Sequence, residues 1–439
     1  MTTEPSVAII VLNWNGRHLL DDCLTALQTQ DYPHYDITLV DNASSDDSAA
    51  FVREHFPQVT VRVNPRNLGF AAGNNVALRE RTADFAVLVN PDVVVAPGWL
   101  RQLLAPFLAD STIGVAGCKL LYPGGTMIQH AGGGISHPQA MPWHIGGRET
   151  DEGQHNTLRD VDYVIGAVLA IRRETLAQAG LFDEGYFLYY EDVDFCFAAR
   201  QAGFRVVVVP QAVATHIESA VAVKGSFAYL RRFHTGRWRF LLKHFATEEI
   251  LAETLPAEQS WLAAIDYPER LAAALAYESI SAMLPSIWQA RAASGHGVPA
   301  AIRQEIQAGI KQLQNRAWQL PPLPLPAADL TRYAQIEERP FTSRVPLLGP
   351  LLARFRATWN NVASRWYVRQ LTDQQNAYNA LLAQQLAAYE TLLQQQALLL
   401  RELATANVQH QADLAELQAV VGRLTQQLNE ATRLGTGSK

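Results

Sequence analysis

Short apolar runs alternate with a longer helical pattern along the first part of the chain. Apolar runs typical of buried strands lie at residues 6–12, 37–40, 59–63 and 85–89, and a helical pattern extends from 17 to 28. A continuous apolar run bounded by turn residues indicates a strand that is buried on both faces. Strands that alternate with helices at this spacing predict βαβ units and a mostly parallel sheet.

Polar residues follow these runs at the points where the strands end. Asp41 follows the second strand, Arg66–Asn75 follow the third, and Asn90–Asp92 follow the fourth. Ser44–Asp46 have the chemistry of an N-cap for the next helix. Because ligands of open α/β sheets bind beyond the carboxyl ends of the strands, we expect the three clusters to converge on one site.

The remaining pattern divides the chain into segments. A helix is expected to begin near Glu191, and a strand covers Phe204–Val209. The stretch after residue 245 is rich in Ala, Leu, Gln and Glu and predicts helices, and Pro321–Pro326 predicts a stiff linker. We predict an α/β domain at residues 1–245, a helical region at 246–320, a proline-rich linker at 321–343, a basic amphipathic segment at 344–370 and a coiled coil at 371–433.

The C-terminal tail carries a heptad pattern. Alternate spacings of three and four residues define a seam that consists of Leu382, Leu386, Tyr389, Leu393, Gln396, Leu400, Leu403, Asn407, His410, Leu414, Leu417, Val421, Leu424 and Leu428. A mostly apolar seam of this length predicts a coiled coil, and therefore a homo-oligomer joined through residues 382–428. A surface helix packed on its own domain is the alternative.

Composition narrows the functional classes. The formal net charge of −6 disfavours a protein that binds nucleic acid. Cys23, Cys118 and Cys196 form no CxxC pair, so we expect buried thiols in a reducing compartment. There is no basic start followed by an apolar stretch, and no window is expected to reach the ~20 apolar residues of a spanning helix. We expect a cytoplasmic protein that is soluble or peripherally bound to a membrane.

Two of the polar clusters suit the recognition of a nucleotide. Asp41 can accept a hydrogen bond from a base N–H or a ribose hydroxyl, although an Asp here also caps helices. Arg66–Asn75 combine a fixed positive charge with small residues that let the backbone approach an anion at a helix N-terminus. A glycine-rich turn that opens a helix is the alternative for this segment.

Four acidic residues and a histidine suit metal binding and proton transfer. Asp92 at a strand end fits a Mg²⁺ or Mn²⁺ site that substrate phosphates and waters complete. Glu191, Asp192 and Asp194 lie within one helical turn, which raises at least one pKa and suits a general base. Solvated acids at a helix start are the alternative. His216 either completes the metal shell or is structural.

Six segments in this order resemble family 2 glycosyltransferases, specifically the bacterial rhamnosyltransferase-like branch. They are VDNAS, RNLGFAAGNN, VNPDV, GAVLAIRRE (Gly166–Glu174), FDEGYFLYYEDVDFC (Phe182–Cys196) and ATHIES. The resemblance covers about residues 6–245. It implies an α/β fold of the GT-A type, Rossmann-like with a mostly parallel sheet, which is followed here by the helical region and the coiled coil. It also implies an inverting mechanism.

The resemblance assigns roles to single residues. Asp41 matches the residue that holds the pyrimidine base. Asp92 matches the last Asp of the family's metal motif, in which Asn90 stands where many members have Asp. Asp192 matches the catalytic base of a Glu-Asp pair, and His216 matches a position that ligates metal or contacts the diphosphate in some relatives.

We therefore predict an inverting, non-processive glycosyltransferase of the hexosyltransferase type that acts in cell-surface polysaccharide synthesis. It would move a sugar from a nucleotide diphosphate, with dTDP-rhamnose as the leading hypothesis, to a hydroxyl of a glycan or lipid-linked acceptor. The predicted site comprises catalytic Asp192 and Glu191, acceptor-side Gly166 and Asp194, metal ligands Asp92 and His216, and donor-binding Asn13, Asp41, Asn42, Arg66, Asn67, Gly69, Asn74 and Asn90.

Two other functions remain as alternatives. One is a degenerate transferase domain that acts as a coiled-coil scaffold, which the acids at Asp41, Asp92 and Asp192 speak against. The other is a nucleotidyltransferase, which would usually carry a glycine-rich basic loop where this chain has Asn13–Gly16.

Two basic and aromatic segments suggest contact with an anionic membrane. Residues 224–245 and 344–369 combine Lys or Arg with aromatic side chains and contain no acid. Such segments favour acidic lipid interfaces, and lipid-linked acceptors are typical of the resembled family. Packing on the rest of the chain, with arginines reaching outward, is the alternative. His234–Trp238 resembles the Gln-x-x-Arg-Trp signature of processive synthases but lacks its Gln, which favours a non-processive enzyme.

Overall fold

The computed structural model describes residues 4–80, 82–217, 225–319, 349–363 and 373–387, together with residues 389, 391, 393 and 396. The chain forms two compact units, Met1–Ala317 and Trp318–Lys439. The predicted linker at 321–343 and the heptad seam beyond Gln396 lie outside the described residues.

The first unit begins with the four parallel strands that the sequence predicts. β1 lies between β2 and β4 and is almost completely buried, which explains its continuous apolar run. Its alternate side chains Val7, Ile9 and Val11 pack with Leu20 and Leu24 in the main core. The elements are β1 (Val7–Asn13), α1 (Leu20–Gln28), β2 (Tyr35–Asp41), α2 (Ser48–His55), β3 (Thr60–Val63), α3 (Gly69–Leu78) and β4 (Phe85–Val89).

Further strands extend the sheet beyond β4. The elements are β5 (Val93–Val95), α4 (Trp99–Ala109), β6 (Ile113–Leu121), β7 (Ile128–His130), β8 (Gly133–Ser136), β9 (Met141–His144), β10 (Arg159–Asp160), β11 (Val168–Arg172), α5 (Arg173–Ala179), α6 (Glu191–Gln201) and β12 (Arg205–His216). The strand order is β10-β12-β6-β11-β4-β1-β2-β3, with β5 on β12 and β7 on β6, and β8 and β9 form a separate hairpin. The α/β class is therefore confirmed, but the sheet is mixed: β1 to β4 pair in parallel, as predicted, whereas β5, β7, β10 and β11 pair antiparallel with their neighbours.

Strand direction brings the predicted ligand-binding segments to one edge of the sheet. β11 is antiparallel to both β4 and β6, and β12 is parallel to β6, so β12 runs in the same direction as β1 to β4. The last residues of β1, β2 and β12, namely Asn13, Asp41 and His216, consequently lie at the same edge. Gly166 lies there too, because it precedes β11, which runs the opposite way.

A layer of helices completes the first unit. It consists of α7 (Phe227–His244), α8 (Thr247–Glu249), a π-helical turn (Ile250–Thr254), α9 (Leu255–Ala264), α10 (Tyr267–Ala293) and α11 (Ala300–Ala317). Among the described helices, the segment Glu269–Ala293 is long and apolar enough to cross a membrane by length and composition, and most of it is buried in the fold. The expectation that no such window exists is corrected here. Packing of α10 on α7 and α11 accounts for its apolar character.

The three cysteines are buried and free, as predicted. Burial raises the pKa of each thiol. A buried thiol with a raised pKa is unreactive, so Cys23, Cys118 and Cys196 act as small hydrophobic side chains.

The second unit contributes two described helical stretches. One is α12 (Gly349–Ala363), which exposes Leu351, Leu352 and Phe355, and the other covers residues 373–387. The described heptad positions are exposed in the single chain; they include Leu382, Leu386, Tyr389 and Leu393. The coiled coil stays a prediction, because most of its seam lies outside the described residues.

Candidate active site

Asn13 and Asp41 meet where β1 and β2 end. The Asn13 amide donates to Asp41 Oδ1 (3.1 Å) and to the Ser44 hydroxyl (3.2 Å), and Asp41 Oδ2 accepts from the Ser44 backbone N–H (2.9 Å). Asn13 is fully buried, and its Oδ1 has no hydrogen-bond partner within the described part of the chain. Because an unsatisfied buried acceptor costs ~1–3 kcal/mol, this oxygen is a candidate contact for a ligand N–H.

Ser44–Asp46 form loop contacts more than a helix cap. α2 begins at Ser48, and only Asp46 bonds its first turn, through the Ser48 backbone N–H (3.3 Å). The Ser44 hydroxyl accepts from the Asn15 backbone N–H (2.9 Å), and the Ser45 N–H donates to Asn15 Oδ1 (2.8 Å). The predicted cap is thus wrong for the two serines, which couple the loops after β1 and β2.

Asn42 fastens the loop after β3 to the end of β2. Its amide donates to Asn67 Oδ1 (3.2 Å) and the Gly69 carbonyl (3.0 Å), and its Oδ1 accepts from the Asn64 amide (2.8 Å). The side chain is buried and bonded at both ends, so it shapes the loop. Arg66 in the same loop is exposed and forms no ion pair with the described residues, which leaves its guanidinium available to an anion.

The start of α3 packs against the segment that precedes α6. The Phe70 N–H donates to the Phe187 carbonyl (2.7 Å). Gly69 has a φ of 78°, and a Cβ at this position would lie 2.3 Å from the Phe187 oxygen, so only glycine fits. Asn74 in α3 is buried; its amide donates to the Phe70 carbonyl (3.0 Å), and its Oδ1 has no partner among the described residues.

The predicted metal ligands Asp92 and His216 come together because β5 pairs with the end of β12. His216 Nε2 lies 3.2 Å from Asp92 Oδ1, and both side chains are buried. His216 Nδ1 lies 2.6 Å from Gln129 Oε1, a contact that makes Nδ1 the N–H donor. A neutral imidazole held in this way directs the Nε2 lone pair at a carboxylate oxygen, which requires a proton or a cation between the two atoms.

Among the described residues, Asp92 and His216 are the two protein ligands that the site offers a cation. The described residues contain no group of three or more His, Cys, Asp or Glu suited to hold a metal. Asn90 lies beside the pair and is fixed by its backbone N–H, which donates to the Ala167 carbonyl (2.9 Å). A shell with two protein ligands needs further oxygen atoms from a substrate and from water.

Asp192 stands at the start of α6 and contacts the segment before β11. Its Oδ2 accepts from the Gly166 N–H (2.8 Å) and its Oδ1 from the Val193 N–H (2.8 Å). A Cβ at Gly166 would lie 2.7 Å from the Phe70 ring, so a glycine is needed for this approach. Burial raises the pKa of Asp192 above its ordinary value, although the two backbone N–H groups act in the opposite direction.

Glu191 lies beside Asp192 and is the more buried of the two. Its side chain is buried, and its Oε2 has no partner in the described regions. Burial, and after it the charge of Asp192, raises the pKa of Glu191 well above its ordinary value. Adjacent carboxyls whose pKa values differ can hold different protonation states at one pH, which is the condition for separate acid and base roles.

The loop before α6 has an uncommon backbone. Tyr189 and Tyr190 have φ values of 74° and 72°, a left-handed conformation that is costly outside glycine. The Tyr190 hydroxyl donates to the Ala140 carbonyl (2.8 Å), and a Cβ at Gly236 of α7 would lie 2.6 Å from the Tyr189 oxygen. These contacts fix the path by which the chain enters α6 and hence the position of Asp192.

Asp194 is bonded to a different set of residues. Its carboxylate accepts from the Tyr186 hydroxyl (3.0 Å) and the Lys243 ammonium (2.7 Å), and it lies 2.8 Å from His244 Nε2. Burial acts to raise the pKa of Asp194, but Lys243 and His244 outweigh it and hold the pKa well below its ordinary value. Both oxygens of Asp194 are therefore hydrogen-bonded, and Asp194 anchors α6 on α7. Gly166, the other residue predicted for the acceptor side, contacts Asp192 instead.

The basic segment in α7 faces acids that come from distant parts of the chain. Arg237 is fully buried and paired with Glu258, and Arg239 is paired with Asp183 (2.9 Å). Lys243 also bonds Asp183 (2.7 Å). The predicted membrane contact is wrong for these three basic side chains, because their charge is neutralised inside the fold. Lys224 of the same segment lies outside the described residues.

The segment that resembles a processive signature is part of the helical layer. His234 Nε2 lies 3.2 Å from Glu269 Oε1, and the Trp238 indole N–H donates to Glu258 Oε1 (3.1 Å). Both side chains are buried. His234–Trp238 therefore connects α7 to α9 and α10 and is not open to a substrate.

Sequence reasoning missed two groups that support the site. Gln129 orients His216 from β7, and no local pattern could reveal it, because strand pairing alone brings the two together. Lys243 and His244 hold Asp194 from the end of α7. Their signal was a basic cluster without acids, which the sequence alone could not separate from a lipid-facing surface.

Comparison with known proteins identifies relatives of this chain. A family model described as "Glycosyltransferase like family 2" matches residues 5–239. The "O-antigen biosynthesis protein RfbC" of Myxococcus xanthus is 31% identical over 228 residues, which cover 49% of this chain and 18% of that protein. The "N-acetylglucosaminyl-diphospho-decaprenol L-rhamnosyltransferase" of Mycobacterium tuberculosis is 25% identical over 270 residues, which cover 54% of this chain and 87% of that protein. "Rhamnosyltransferase WbbL" of Escherichia coli is 24% identical over 227 residues, which cover 48% of this chain and 83% of that protein.

Solved structures give weaker similarities. GalNAc-T7 with UDP, GalNAc and Mn²⁺ matches with a TM-score of 0.48 and 16% identity, over 59% of this chain and 51% of that chain. The mannosyltransferase PcManGT of Pyrobaculum calidifontis, in complex with GDP-Man and Mn²⁺, matches with a TM-score of 0.41 and 21% identity, over 72% and 88%. Both similarities are low in score and in identity.

Proposed function

The chain belongs to the glycosyltransferase like family 2, and we propose on this premise that it is an inverting, non-processive enzyme. It would transfer a sugar from a nucleotide diphosphate to an acceptor hydroxyl. The membership confirms the family resemblance carried by the six sequence segments, and the observed sheet agrees with the GT-A fold that the resemblance implied. The observation that carries the proposal is Asp192, a carboxylate held at the ligand edge of the sheet with a raised pKa.

Asp192 is proposed as the general base. Inversion requires one group that takes the proton from the acceptor hydroxyl and needs no protein nucleophile. The Gly166 and Val193 N–H groups hold the carboxylate in place, and its raised pKa makes it a stronger base than an ordinary aspartate. Since the ionised form is needed, transfer should decline as the pH falls through a pKa higher than that of a solvated Asp.

Asp92 and His216 are proposed to hold Mg²⁺ or Mn²⁺ together with the donor diphosphate. Ligand atoms on adjacent corners of an octahedron with bonds of about 2.1 Å are about 3 Å apart, close to the observed 3.2 Å. A bound cation would take the place of a proton between His216 Nε2 and Asp92 Oδ1. The bound cation would neutralise charge that develops on the leaving diphosphate.

The donor nucleotide is proposed to lie over Asn13, Asp41 and Arg66. The unpartnered Asn13 Oδ1 suits the N3–H of a pyrimidine such as thymine or uracil, and Asp41 orients the Asn13 amide. Arg66 is exposed at the loop that leads into α3 and suits the diphosphate. Asn42, Asn67, Gly69, Asn74 and Asn90 are proposed to shape this binding surface.

Rhamnose from dTDP-rhamnose is the donor sugar that we propose. Two relatives are named as rhamnosyltransferases, and one of these names specifies an acceptor linked through a diphosphate to a long prenyl chain. A glycan or lipid-linked acceptor of cell-surface polysaccharide synthesis follows from the same names.

A panel of nucleotide sugars tests the proposal. The enzyme is incubated with each donor and Mg²⁺ or Mn²⁺, and release of nucleoside diphosphate is followed with two acceptors. One acceptor is N-acetylglucosamine linked through a diphosphate to a short prenyl chain, and the other is its octyl glycoside. We expect metal-dependent turnover of dTDP-rhamnose.

Asp92→Ala is expected to reduce this turnover by about a hundredfold or more, because the metal and diphosphate lose their carboxylate ligand. Glu269→Gln is the matched control, since it alters an acid–histidine pair that is remote from the edge. Turnover in the presence of a chelator would contradict the metal site. Absence of both donor binding and turnover would favour the degenerate scaffold, and transfer of a nucleotidyl group would favour a nucleotidyltransferase.

Oligomerisation through residues 382–428 is also proposed. The described seam positions are exposed, as an unpaired coiled-coil seam would be in a single chain. Replacing Leu386 and Leu393 together by Asp should convert an oligomer to a monomer in light scattering. A wild-type chain that is monomeric at micromolar concentration would remove the proposal.

Peripheral attachment to the inner face of the cell membrane is proposed for α12. This helix exposes Leu351, Leu352 and Phe355 next to the exposed Arg354, a combination that suits an anionic lipid interface. We expect sedimentation with anionic vesicles at low salt, and a loss of sedimentation in the double variant Leu351→Ala, Phe355→Ala. Failure of the wild-type chain to sediment would contradict the attachment and the proposed location.

A further inference from the structure

A cavity lies where α5, α6, α7 and α10 meet, and we call it the α10 cavity. Its volume is about 460 Å³, which falls within the ~300–1,000 Å³ that is usual for small-molecule sites. α5 and α6 contribute Gln178, Ala198 and Gln201 to its lining, and the ends of α7 and α10 contribute His244 and Arg291. None of the residues proposed above for the donor, the metal or the base lines it. The α10 cavity is therefore separate from the candidate active site.

The ionisable side chains that line the α10 cavity are basic. They are Lys243, His244, Arg291 and His296, and the described lining includes no Asp or Glu. Lys243 is paired with Asp183 and Asp194, both at 2.7 Å. His244 Nε2 lies 2.8 Å from Asp194 Oδ1. Acids within the fold therefore offset these two side chains of α7, which leaves Arg291 as the principal charge of the cavity.

Arg291 is a buried cation that forms no ion pair with the residues that the structure describes. It is 8% exposed; its Nε donates to the His296 carbonyl (3.2 Å), and its Nη1 donates to the carbonyls of Leu242 and Phe245 (both 2.8 Å). Nη2 has no hydrogen-bond partner among the described residues. Burial lowers the pKa of Arg291, and the exposed Glu248 opposes this through its charge. Because a guanidinium stays charged at neutral pH and a buried charge favours a counter-ion, Nη2 is a candidate contact for an anion.

The rest of the lining combines amides with small apolar side chains. Gln178 and Gln201 bring side-chain amides, which both donate to and accept from hydroxyl groups. The Gln201 nitrogen lies 3.4 Å from His244 Nδ1, and its oxygen has no partner among the described residues. Ala198 and Ala202 occupy little space and leave room for a ligand. This lining suits a small molecule that carries hydroxyl groups beside its anionic group.

α6 connects the α10 cavity to the proposed base. Asp192 lies in the first turn of α6, and Ala198 of the same helix lines the cavity. Lys243 and His244 also line the cavity while they hold Asp194 from α7. An anion in the cavity would compete with Asp194 for these two basic groups. Its binding would therefore weaken the attachment of α6 to α7.

We propose that the α10 cavity is an effector site for a small polyhydroxylated molecule that carries a phosphate group. Arg291 Nη2 binds the phosphate oxygens, and the amides of Gln178 and Gln201 bind the hydroxyl groups. The occupant lowers transfer because it draws the two basic side chains of α7 away from Asp194. The binding is independent of the proposed function, and only the effect on transfer rests on it.

Binding is measured on the full chain and separately from catalysis. The donor site is first saturated with nucleoside diphosphate and Mg²⁺, so that the phosphate of a probe cannot bind there. The probes are glucose 6-phosphate, inorganic phosphate and glucose, and titration calorimetry gives a dissociation constant for each. We expect glucose 6-phosphate to bind about tenfold or more tightly than either of the others, because it alone makes both kinds of contact.

Two variants test the lining by different means. Ala198→Leu fills the cavity and leaves every charged group in place, so it should weaken binding of glucose 6-phosphate by about tenfold or more. Its control is Ala177→Leu, which enlarges an exposed alanine of α5 outside the lining. Arg291→Lys should weaken binding to a similar degree, because an ammonium lacks the fork that bonds the α7 carbonyls and a phosphate together. Its control is Arg303→Gln, which alters an exposed arginine on α11, and thermal unfolding checks the fold of all four variants.

The effect on transfer is measured with the same probe. Saturating glucose 6-phosphate should lower transfer by the wild type by about fivefold or more, whereas Ala198→Leu should keep its full rate. Inhibition that persists in Ala198→Leu would assign the effect to competition at the donor site and overturn the effector role. Binding that leaves wild-type transfer unchanged would overturn it as well.

Three results would overturn the binding site itself. They are no binding of glucose 6-phosphate to the wild type, equal binding of inorganic phosphate, and no effect of Ala198→Leu on binding. A wild-type chain that transfers no sugar but binds glucose 6-phosphate in the cavity would count against the proposed function and leave the site in place.

Discussion

Two regions of the molecule bury polar groups: the ligand edge of the sheet, where Asn13, Asp41 and His216 lie, and the helical layer α7 to α11. They differ in how many of these groups have hydrogen-bond partners within the fold. At the edge, buried oxygens of Asn13, Asn74 and Glu191 have no partner among the described residues. In the layer, Glu258 accepts from Arg237, Trp238, Tyr277 and Gln139. Some atoms of the layer, such as Arg237 Nε, also lack a hydrogen bond within the described residues, but both oxygens of Glu258 are bonded.

The difference separates groups that maintain the fold from groups that await a ligand. A buried ion pair must be hydrogen-bonded well enough to offset the loss of hydration, and the layer meets that condition. Buried acceptors without a partner are rare in native folds, and a bound substrate, water or ion can pair them. We therefore expect substitutions in the layer to alter stability and substitutions at the edge to alter binding or turnover.

Glu258→Ala provides the largest expected effect on stability. It leaves the Arg237 charge buried without a partner, which should lower the free energy of unfolding by about 3–5 kcal/mol in urea denaturation. The control Glu269→Ala removes a partly exposed acid that faces His234. A cost for Glu258→Ala no greater than that of the control would show that the pair contributes little to the fold.

The same glutamate predicts how stability depends on pH. Burial acts to raise the pKa of Glu258, but Arg237 outweighs it, and the pKa falls to about 2. A carboxyl whose pKa is lower in the folded chain than in the unfolded chain stabilises the fold when the pH is above its unfolded-state pKa. This stabilisation disappears as the pH falls toward about 2. The stabilities of wild type and Glu258→Gln should therefore converge in acid. A constant difference from neutral pH to pH 3 would contradict this.

Asn13→Ala should affect binding more than stability. Removal of its unpartnered oxygen is expected to weaken binding of a pyrimidine nucleoside diphosphate by about tenfold to a hundredfold, while binding of a purine counterpart changes little. Ser44→Ala is the control, because it removes a contact of Asn13 and leaves Oδ1 in place. Equal losses for pyrimidine and purine would place the base elsewhere.

Glu191→Gln has the smallest expected effect. Burial and Asp192 raise the pKa of Glu191 well above its ordinary value, which favours the protonated side chain, and glutamine has nearly the same shape. The turnover number should stay within about threefold of wild type. A loss as large as that of a substitution at Asp192 would mean that Glu191 takes part in turnover, either as an ionised group or as a proton donor.

Much of the fold could be predicted from the sequence, because the spacing of apolar residues and the polar residues that follow each strand are local signals. The four parallel strands, the helix at Glu191 and the edge that joins Asp41 and Asp92 were all predictable in this way. The partners of α7 were not, since Glu258 and Asp183 reach it from other segments. A basic run without acids has the same appearance on a lipid surface and inside a fold, so only tertiary pairing separates the two.

The contacts of the neighbouring acids were beyond the sequence, although the family resemblance implied a base at Asp192. Glu191, Asp192 and Asp194 lie in one helical turn, yet each faces a different environment. Asp192 bonds the Gly166 N–H, Glu191 has an oxygen without a partner in the described regions, and Asp194 bonds Lys243. Their spacing indicated a cluster, but the surrounding segments decide which hydrogen-bond partners each carboxyl has.

The central claim is that Asp192 takes the proton from the acceptor, and Asp192→Asn tests it most directly. Transfer and donor binding are measured on the same preparation, with thermal unfolding as a check on the fold. We predict that transfer falls by about a thousandfold or more, while the dissociation constant for the donor changes by less than about threefold. Transfer that persists at the wild-type rate, or donor binding that is lost together with transfer, would contradict the assignment.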